Sequence, residues 1–340
     1  MLAIDFAGEC FLPTIKEIAK AAGVSYSTVS RALNNKKGVG PELREKIIKI
    51  ASELSYFPHS SAKALVQNRV GVIGVIIPRT SEFTFQSPFY NHVLLGISAQ
   101  AKQHDYRLML SINDKKDYAS VYYQRMVDGI IVIGNRIDDQ HVLELEEKKI
   151  PSVVVPGFPD NSEHDIATVN SENFKSVHRA VSYLISLGHR KIAFILGKMT
   201  SKYSIERFEA YKTAFRDHKL TFDPNYLVES DFSKTDGHRL MGELLDLPDP
   251  PSAVICINDT VTPGAMQQIN SRGLKIPDEI SVIAIGCSDI LDLFNPPLTT
   301  IKTPVVKIGQ TVVHVLTQLI ETGRCAKKHI IIPSEFIIRE

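Results

Sequence analysis

The sequence predicts an α/β protein with a small helical unit at its amino terminus and a larger, two-lobed core of doubly wound parallel sheets. Two observations lead to this prediction. Residues 14–34 contain two short helical patterns separated by a glycine, and from residue 70 onward apolar strand patterns alternate with helical patterns. The roughly 270 residues after the helical unit are enough for two lobes of ordinary domain size.

The first helix is predicted to begin after Thr14. Thr14 and Glu17 have the spacing of a capping box, which satisfies backbone N–H groups of the first turn. Gly23 supplies the left-handed backbone that ends the helix, and Val24 fills the corner behind it. The residues between form one apolar face at helical spacing: Ile15, Ile18, Ala19 and Ala22.

A second helix is predicted from Tyr26 to about Asn34, with Ser25 as its cap. Its apolar side chains point inward, and these are Val29, Ala32 and Leu33. Its polar side chains and one aromatic side chain point outward, and these are Tyr26, Ser27, Ser30 and Arg31. Such an outward face is typical of a helix that reads DNA.

A third helix is predicted to begin at Gly40 and Pro41, because proline loses no hydrogen bond at the first helical position. Its expected buried stripe is Leu43, Ile47, Ile50, Ala51 and Leu54. Three short helices on one small core form a helix-turn-helix headpiece, whose second helix lies in the major groove. The alternative is a structural helix pair inside an enzyme.

The headpiece resembles that of the LacI/GalR family of bacterial transcription regulators. The matching residues run from Ala22 to Ser25 and from Thr28 to Arg31, and continue at 56–58. By this resemblance Tyr26, Ser27 and Arg31 would read base edges, with other residues near phosphates. The complete DNA-binding set that it implies is Thr14, Tyr26, Ser27, Thr28, Ser30, Arg31, Asn34, Ala62 and Leu65.

Residues 60–69 resemble the family's hinge helix. The stretch is too short to be a stable helix in water without a partner. In that family two such helices pair on DNA and insert a leucine into the minor groove, and Leu65 holds that position. A plain linker is the alternative. The expected domains are therefore a headpiece at 1–59, a hinge at 60–69 and a core at 70–340.

The core is predicted to contain parallel strands buried on both faces, because its apolar runs are continuous. The runs are 72–77, 108–112, 129–133, 152–155, 192–196, 253–257 and 282–285. Helical patterns lie between them, among them 93–104, 173–187, 205–218 and 260–271. Ligands of such sheets bind at the carboxyl ends of the strands. Because no G-x-G-x-x-G follows the first strand and no Walker motif occurs, nucleotide-cofactor enzymes lose their main support.

The core resembles the same family's module, which is of the periplasmic-binding-protein type I. Five stretches match in order: 87–90, 127–131, 187–193, 258–259 with 264–265, and 296–301. The resemblance implies two lobes joined by three crossings, near Val169, Thr299 and Ala326, with an effector bound between them. The amino-terminal lobe would comprise about 70–169 and 300–327, and the carboxyl-terminal lobe about 170–299 and 328–340.

Candidate effector-binding residues follow from the resemblance, position by position: Pro88, Phe89, Arg207, Phe232, Asn258, Ser288 and Asp289. Arg207 would fork onto hydroxyls or a carboxylate, and Phe232 would cover an apolar ligand face. Asn258 offers both a donor and an acceptor to paired hydroxyls. Each has a structural alternative: a surface ion pair for Arg207, the core for Phe232 and a turn for Asn258.

Two departures from the family weaken the case for sugar binding. Ser288 stands where the family usually has an aspartate, with Asp289 as a possible substitute, and Pro156 replaces a second usual aspartate. Missing carboxylates weaken the capture of sugar hydroxyls. A sugar of α-glucoside or maltodextrin type is the hypothesis, and a nucleobase or phosphosugar is the alternative.

Other function classes find little support. The eleven histidines include no H-E-x-x-H pair, and no G-x-S-x-G elbow occurs. The four cysteines lack C-x-x-C spacing and are expected to be reduced thiols of a cytosolic protein. Neither an export signal nor a membrane span is indicated, and neither a cofactor nor a metal is expected.

Charge is distributed unevenly along the chain. Residues 1–69 hold 10 Lys and Arg against 6 Asp and Glu, while the whole chain has a net charge of only +1. A modestly basic head on a mildly acidic body fits a protein that gains DNA affinity through dimerisation and specific contacts.

The leading hypothesis is a homodimeric repressor that binds a palindromic operator in double-stranded DNA and is controlled by a small effector, expected to be a sugar. One alternative is a catabolite-control type regulator, governed mainly by a phosphocarrier protein. The other is a solute-binding protein, against which the headpiece argues.

Overall fold

The computed structural model describes residues 13–33, 36–56, 69–112, 117–134, 139–156 and 164–339. The chain divides into two compact units, Met1–Val70 and Gly71–Glu340.

The first unit contains three helices: α1 (Ile15–Ala22), α2 (Tyr26–Leu33) and α3 (Pro41–Glu53). At the start of α1 the Glu17 carboxylate accepts hydrogen bonds from the backbone N–H of Thr14, at 2.6 Å, and from its hydroxyl, at 3.1 Å. Gly23 ends α1 with a left-handed backbone at φ 69°, and the N–H of Val24 donates to the carbonyl of Ala19. The predicted cap and turn are both present.

A small apolar core holds the three helices together. Ile18, Val29 and Ile47, one from each helix, are fully buried in it. The predicted inward stripe of α3 is correct except at its end, since Leu54 remains 39% exposed. Leu54 is the residue that follows the last helical turn, so it no longer shares the buried face of the helix.

The second unit contains two six-stranded sheets. The first sheet has the order β11-β5-β4-β3-β1-β2 and is parallel throughout. Its strands are β1 (Val72–Ile77), β2 (Arg107–Ile112), β3 (Gly129–Ile133), β4 (Ser152–Val155), β5 (Ala167–Ser171) and β11 (His329–Ile332).

The second sheet has the order β12-β10-β9-β8-β6-β7, and only its edge strand β12 is antiparallel. Its strands are β6 (Ile192–Gly197), β7 (Leu227–Ser230), β8 (Ala253–Cys256), β9 (Ser281–Gly286), β10 (Thr299–Lys302) and β12 (Glu335–Ile337).

The helices of this unit lie between the strands in the chain, as the alternating pattern predicts. They are α4 (Ser81–Gln86), α5 (Pro88–Gln103), α6 (Ser120–Tyr123), α7 (Gln140–Glu147), α8 (Asn173–Ser186), α9 (Lys202–Asp217), α10 (Lys234–Leu245), α11 (Val261–Ser271) and α12 (Val305–Thr322). Short 3-10 turns occur at Pro224–Tyr226 and Asp289–Leu293.

Both faces of the first sheet are covered, which explains its continuous apolar runs. In β3, Ile131 and Ile133 belong to one hydrophobic cluster, while Ile130 and Val132 belong to another. A strand buried on one face only would alternate apolar and polar residues instead. β2 is the exception to the expected burial, because it lies at the sheet edge and leaves Leu110 42% exposed.

The chain passes between the two sheets three times. The passages follow β5, follow β10 and separate β11 from β12. The third is therefore near residues 333–334, later than the position expected near Ala326, because His329–Ile332 still pairs with β5 of the first sheet. The second follows Lys302 rather than Thr299, because β10 pairs with β9.

Each lobe contains one helix pair in close contact. In the first lobe Gly96 of α5 lies against the backbone of Val306, and Gly309 of α12 lies against the backbone of Val93. In the second lobe Gly237 of α10 faces the backbone of α11, and Gly264 of α11 faces the backbone of α10. At all four positions an added Cβ would overlap backbone atoms of the neighbouring helix, so only glycine permits this approach.

Candidate functional site

The outer face of α2 is the candidate DNA-reading surface. Tyr26 is 67% exposed, Ser27 and Arg31 are exposed, and Thr28 and Ser30 are half-buried. Because Val29 and Ala32 are buried on the opposite side of the helix, the polar side chains are held outward by core packing. The face therefore presents hydroxyls, a phenol and a guanidinium from a fixed helix.

Ser25 organises the first turn of α2. Its hydroxyl accepts a hydrogen bond from the backbone N–H of Thr28, at 3.2 Å, as a capping serine does. The same hydroxyl lies 2.8 Å from the Ser27 hydroxyl and 2.9 Å from the Thr28 hydroxyl. Ser27 is therefore already oriented by the cap before any base is bound.

Arg44 is a positioning residue that the sequence did not indicate. Its guanidinium donates to the carbonyl of Ala32 at 3.0 Å and to the carbonyl of Lys36 at 2.8 Å, so α3 is tied to the end of α2 and to the segment beyond it. A cation at a helix carboxyl terminus also interacts favourably with the helix dipole. The feature of the sequence that could have indicated this role is an arginine in the first turn of a predicted helix.

Of the four other predicted DNA-binding residues, the structure describes one, Thr14. Thr14 is exposed and serves as the amino-terminal cap of α1. Asn34, Ala62 and Leu65 lie outside the described residues.

The second unit contains a cavity of about 420 Å³ at the carboxyl ends of its strands. Residues directly after β1, β3, β4, β6 and β8 line it, and these are Pro78, Gly134, Pro156, Lys198 and Ile257. Both sheets therefore contribute to the walls, as expected for ligands of open α/β sheets. A cavity of this volume is in the range of small-molecule sites.

Five of the predicted effector residues line this cavity, and two do not. Pro88, Phe89, Arg207, Phe232 and Asn258 are in its wall. Ser288 is turned instead toward Asp259, to which its hydroxyl donates at 2.7 Å. Asp289 has an 86% exposed side chain, which pairs with Lys302 at 2.8 Å. Ser288 and Asp289 therefore lie outside the cavity wall, and a ligand contact by either residue stays a prediction.

Arg207 is buried in the cavity wall between neutral partners. Its Nε donates to the Asn173 side-chain oxygen at 2.8 Å, and its Nη1 donates to the carbonyl of Ile257 at 3.1 Å. Its guanidinium carbon lies 5.8 Å from the centre of the Tyr203 ring. Burial lowers the pKa of Arg207 to about 10. The expected alternative, a surface ion pair, does not describe this residue.

Phe232 occupies the cavity wall with a strained backbone. Its φ of 73° is unusual for a residue with a side chain, and its N–H donates to the Ser230 hydroxyl at 2.7 Å. The ring lies against Gly197, where a Cβ would overlap it, and makes an edge contact with Phe83 at 5.8 Å between ring centres. Strain of this kind concentrates at ligand sites.

Asn258 has its oxygen engaged in the fold. Oδ1 accepts hydrogen bonds from the backbone N–H groups of Thr260, at 3.0 Å, and Val261, at 2.7 Å, at the start of α11. The turn interpretation is therefore correct for the oxygen. Within the described residues the Nδ2 group has no hydrogen-bond partner, so Asn258 faces the cavity mainly as a donor.

Asp259 is the buried carboxylate of this wall. It accepts hydrogen bonds from the backbone N–H groups of Cys287 and Ser288, from the Ser288 hydroxyl and from the Cys287 thiol. The neighbouring carboxylate and burial raise the pKa of the Cys287 thiol, burial being the larger cause. Asp259 therefore links the start of α11 to the end of β9.

Several aromatic residues of the cavity were not predicted. Phe83 makes edge contacts with Tyr90, at 6.0 Å, as well as with Phe232, and Phe89 makes them with Tyr90, at 5.3 Å, and Tyr203, at 6.4 Å. The Tyr203 side chain is buried in this wall, and burial raises its pKa to about 12. Only the tertiary fold brings these rings, which are distant in sequence, into one wall.

His189, between α8 and β6, lies at the opposite end of the second sheet. Its Nδ1 is 2.8 Å from the Ser252 hydroxyl, and its Nε2 is 3.1 Å from the Ser281 hydroxyl. Burial lowers its pKa. It connects the starts of three strands. The described residues contain no group of three His, Cys, Asp or Glu side chains that could hold a metal ion.

No helix among the described residues is long and apolar enough to cross a membrane.

Together, these features define a class of protein: a helix-turn-helix DNA-reading unit joined to a two-lobed ligand-binding core. Residues 14–59 match the family of bacterial regulatory proteins called the lacI family, and residues 181–340 match the periplasmic binding protein-like domain.

Curated relatives extend this likeness over nearly the whole chain. The chain is 36% identical to the probable HTH-type transcriptional repressor ExuR of Bacillus subtilis (strain 168) over 329 residues, which cover 96% of this chain and 97% of the relative. It is 30% identical to the HTH-type transcriptional repressor CytR of Escherichia coli (strain K12), over 96% of this chain and 95% of that one. The chain therefore belongs to the LacI family, and its relatives are transcriptional repressors rather than enzymes.

Solved structures agree with this assignment. The lac repressor dimer bound to operator and the anti-inducer ONPF matches with a TM-score of 0.86 and 25% identity, over 97% of this chain and 98% of the other. The transcriptional regulator CelR in complex with cellobiose matches with a TM-score of 0.72 and 25% identity, over 96% of this chain and 99% of the other.

Proposed function

We propose that this protein is a transcriptional repressor that binds a palindromic operator as a homodimer. We further propose that a small effector, a sugar or close relative of a sugar, binds in the core cavity and changes operator affinity. The proposal rests foremost on the exposed face of α2, where Tyr26, Ser27 and Arg31 project from a helix fixed by its buried side. A repressor of this kind acts in the bacterial cytoplasm, where its DNA lies.

The cavity supports control by a small molecule. Its walls combine aromatic rings with a buried guanidinium and an amide, which is the usual composition of small-molecule sites. The related structures contain cellobiose in one case and ONPF in the other. In the proposed mechanism, ligand binding shifts the two lobes relative to each other and alters operator affinity by a coupling of about 1 to 3 kcal/mol.

Homodimer formation is supported by the exposed apolar side chains of the first lobe. Leu110 on the edge strand β2 and Leu95 on α5 are exposed, as is Phe85 of α4. Edge strands and apolar patches of this kind are usually covered in a native assembly. The related lac repressor structure is a dimer.

The experiment is DNA binding with full-length protein at fixed salt, using fragments from beside its own gene. Arg31→Ala should abolish specific binding while ligand binding at the cavity stays unchanged, because Arg31 is the exposed cation of α2. Lys49→Ala, which removes an exposed cation from α3, is the matched control and should retain specific binding.

The results separate the parts of the proposal. Unchanged operator affinity in Arg31→Ala would refute the assignment of α2 as the reading helix. Specific binding that no sugar or sugar derivative alters would instead favour control by a phosphocarrier protein, the alternative that the sequence leaves open.

A further inference from the structure

Two pairs of aromatic rings join the lobes across the cavity. Phe83 of α4, in the first lobe, makes an edge contact with Phe232 of the second lobe, at 5.8 Å between ring centres and an interplanar angle of 71°. Phe89 of α5 makes the same kind of contact with Tyr203 of α9, at 6.4 Å and 88°. All four residues line the cavity, so each pair bridges the cleft between the lobes. These four residues are called the aromatic clasp.

Hydrogen bonds do not provide this connection. Within the described part of the chain, every hydrogen bond made by a side chain of α4 or α5 ends within the first lobe. An aromatic edge contact is weak by itself and changes an equilibrium constant by about 2- to 10-fold. The relative position of the lobes at the clasp is therefore expected to respond to the loss of a single ring.

The second lobe directs the Phe232 ring toward the first lobe with a strained backbone. The φ of Phe232 is 73°, and its N–H donates to the Ser230 hydroxyl at 2.7 Å. Gly197 leaves room for the ring, because a Cβ at this position would lie 2.2 Å from the ring carbon Cζ. Such strain persists only where the surrounding structure enforces it. The half-buried Phe232 ring is thus held in one direction, across the cleft.

The first lobe fixes Phe83 through the ends of α4. The Thr80 hydroxyl caps the helix and accepts a hydrogen bond from the backbone N–H of Phe83, at 3.3 Å. The fully buried Thr84 donates from its hydroxyl to the carbonyl of Thr80, at 2.9 Å. The Phe83 ring also contacts the Tyr90 ring, and Gly134 leaves room for the Tyr90 hydroxyl, which would lie 2.3 Å from a Cβ. Phe83 is therefore a fixed part of the first lobe.

We propose that the aromatic clasp holds the two lobes closed over the cavity before any effector is bound, and that it thereby sets the operator affinity of the free repressor. The link to operator affinity rests on the proposed function, in which the relative position of the lobes controls DNA binding. The clasp forms between side chains of the chain itself, so closure needs no ligand. An effector that enters the cavity has to separate these rings or take their place between the lobes.

The first test measures access to the cavity in the full-length protein without ligand. Cys287 lines the cavity and Cys325 does not, so the ratio of their alkylation rates with iodoacetamide, read by peptide mass spectrometry, reports opening of the lobes. Phe83→Leu keeps apolar bulk but loses the ring, and it should raise this ratio about 2- to 10-fold. Phe174→Leu is the matched control, since its ring lies exposed on α8 outside the cavity wall. An unchanged ratio in folded Phe83→Leu overturns the proposal.

The second test measures operator binding without ligand, at fixed salt, for Phe83→Leu, Phe232→Leu and the double variant. Each single substitution should change the dissociation constant in the same direction, by about 2- to 10-fold, because both remove the same contact. The double variant should then change it no further than the larger single effect. Operator affinity equal to that of wild type in all three variants would overturn the link to DNA binding. Fully additive effects would show that the two rings do not act as a pair.

Failure of this proposal is distinguishable from failure of the proposed function. A wild-type protein without specific DNA binding would refute the repressor, while the alkylation ratio would still decide whether the clasp closes the lobes. The strained backbone makes Phe232→Leu the variant most sensitive to misfolding. If it does not fold, Phe89→Leu replaces it, since this substitution removes the other ring that the first lobe contributes, and it should raise the alkylation ratio as Phe83→Leu does.

Discussion

The side chains of Asn258 and Asp259, which are adjacent in the sequence, form different structural contacts. The oxygen of Asn258 caps α11, and the carboxylate of Asp259 holds the segment after β9. Within the described part of the chain, the amide nitrogen of Asn258 is left without a hydrogen-bond partner. A pair of polar residues after a buried strand predicts a site at this sheet edge, but the residue sequence does not show which atoms the fold already uses.

Asn258→Ala should lower stability by about 1 kcal/mol, because two backbone N–H groups of α11 lose their acceptor. Asn258→Asp is the matched variant, since it keeps the acceptor and replaces the free Nδ2 with a carboxylate oxygen. Its thermal unfolding should stay near the wild-type value, while its affinity for an effector that accepts a hydrogen bond from Nδ2 falls. Equal destabilisation by both variants would show that the cap contributes little.

The candidate cavity residues were predictable in part, and the two that lie outside the cavity wall do so for a similar reason. Arg207 and Phe232, which the family resemblance indicates, line the cavity. Ser288 and Asp289 do not, because hydrogen bonds to Asp259 and an ion pair with Lys302 turn them away. Side-chain direction just after a strand is set by such partners, which one sequence does not reveal.

His189 predicts a pH dependence of stability. Burial lowers the pKa of its imidazole in the folded protein, so the neutral ring is favoured there. The stability linked to this ring is present above the unfolded pKa of about 6.5 and is lost as the pH falls through the folded pKa. The groups hydrogen-bonded to the ring are the neutral hydroxyls of Ser252 and Ser281.

Thermal unfolding at pH 7.5 and pH 5.0 checks this, with wild type compared with His189→Gln. The melting temperature of wild type should fall more on acidification than that of the variant. His218→Gln, which alters an exposed histidine at the end of α9, is the control. Its melting temperature should fall between pH 7.5 and pH 5.0 by the same amount as that of wild type. An identical acid response in His189→Gln would remove His189 as a contributor.

At the scale of elements, predictions from the sequence were most accurate for helix ends, where a few neighbouring residues determine the geometry. The capping box of α1, Gly23 and the Ser25 cap all act within a few residues, and all are present. The burial of β2 failed because an apolar run does not say whether its strand is central or at an edge. Five strands were not among the predicted runs. β5, β7 and β10 are short and carry polar residues, and β11 and β12 are only four and three residues long.

Gly23→Ala should destabilise the first unit by about 1 kcal/mol and weaken operator binding. The left-handed backbone at φ 69° disfavours a side chain, although no atom lies within 4 Å of the position a Cβ would take. Gly23→Asn should be tolerated better, because asparagine adopts this conformation more readily. Unfolding of the first unit followed by circular dichroism, together with DNA titration, provides the measurement, and equal effects of the two variants would argue against backbone strain as the cause.

At the scale of the whole molecule, the chain consists of two units with separate hydrophobic cores. The core of the first unit is formed by α1, α2 and α3, whereas the clusters of the second unit lie around its two sheets. The sequence predicts this division well, because the helical and the alternating patterns meet near residue 70. The exact crossings between sheets were less predictable, since the third depends on the pairing of β11 with β5.

A fragment comprising residues 71–340 should therefore fold by itself and bind ligand with the affinity of the whole protein. Its hydrophobic clusters contain no residue of the first unit. Calorimetric unfolding should show the same main transition for the fragment as for the full chain. A fragment that aggregates or melts much earlier would show that the first unit contributes to core stability.

The glycine contacts between α5 and α12 and between α10 and α11 have a mechanical consequence. Helices whose backbones touch cannot slide or tilt past each other without a steric clash. Each lobe is therefore expected to be internally rigid. Any displacement that the proposed ligand produced would then be concentrated in the three connecting passages, which would act as a hinge. In that case, substitutions of side chains in the cavity wall would change ligand selectivity while the relative movement of the two lobes stayed the same.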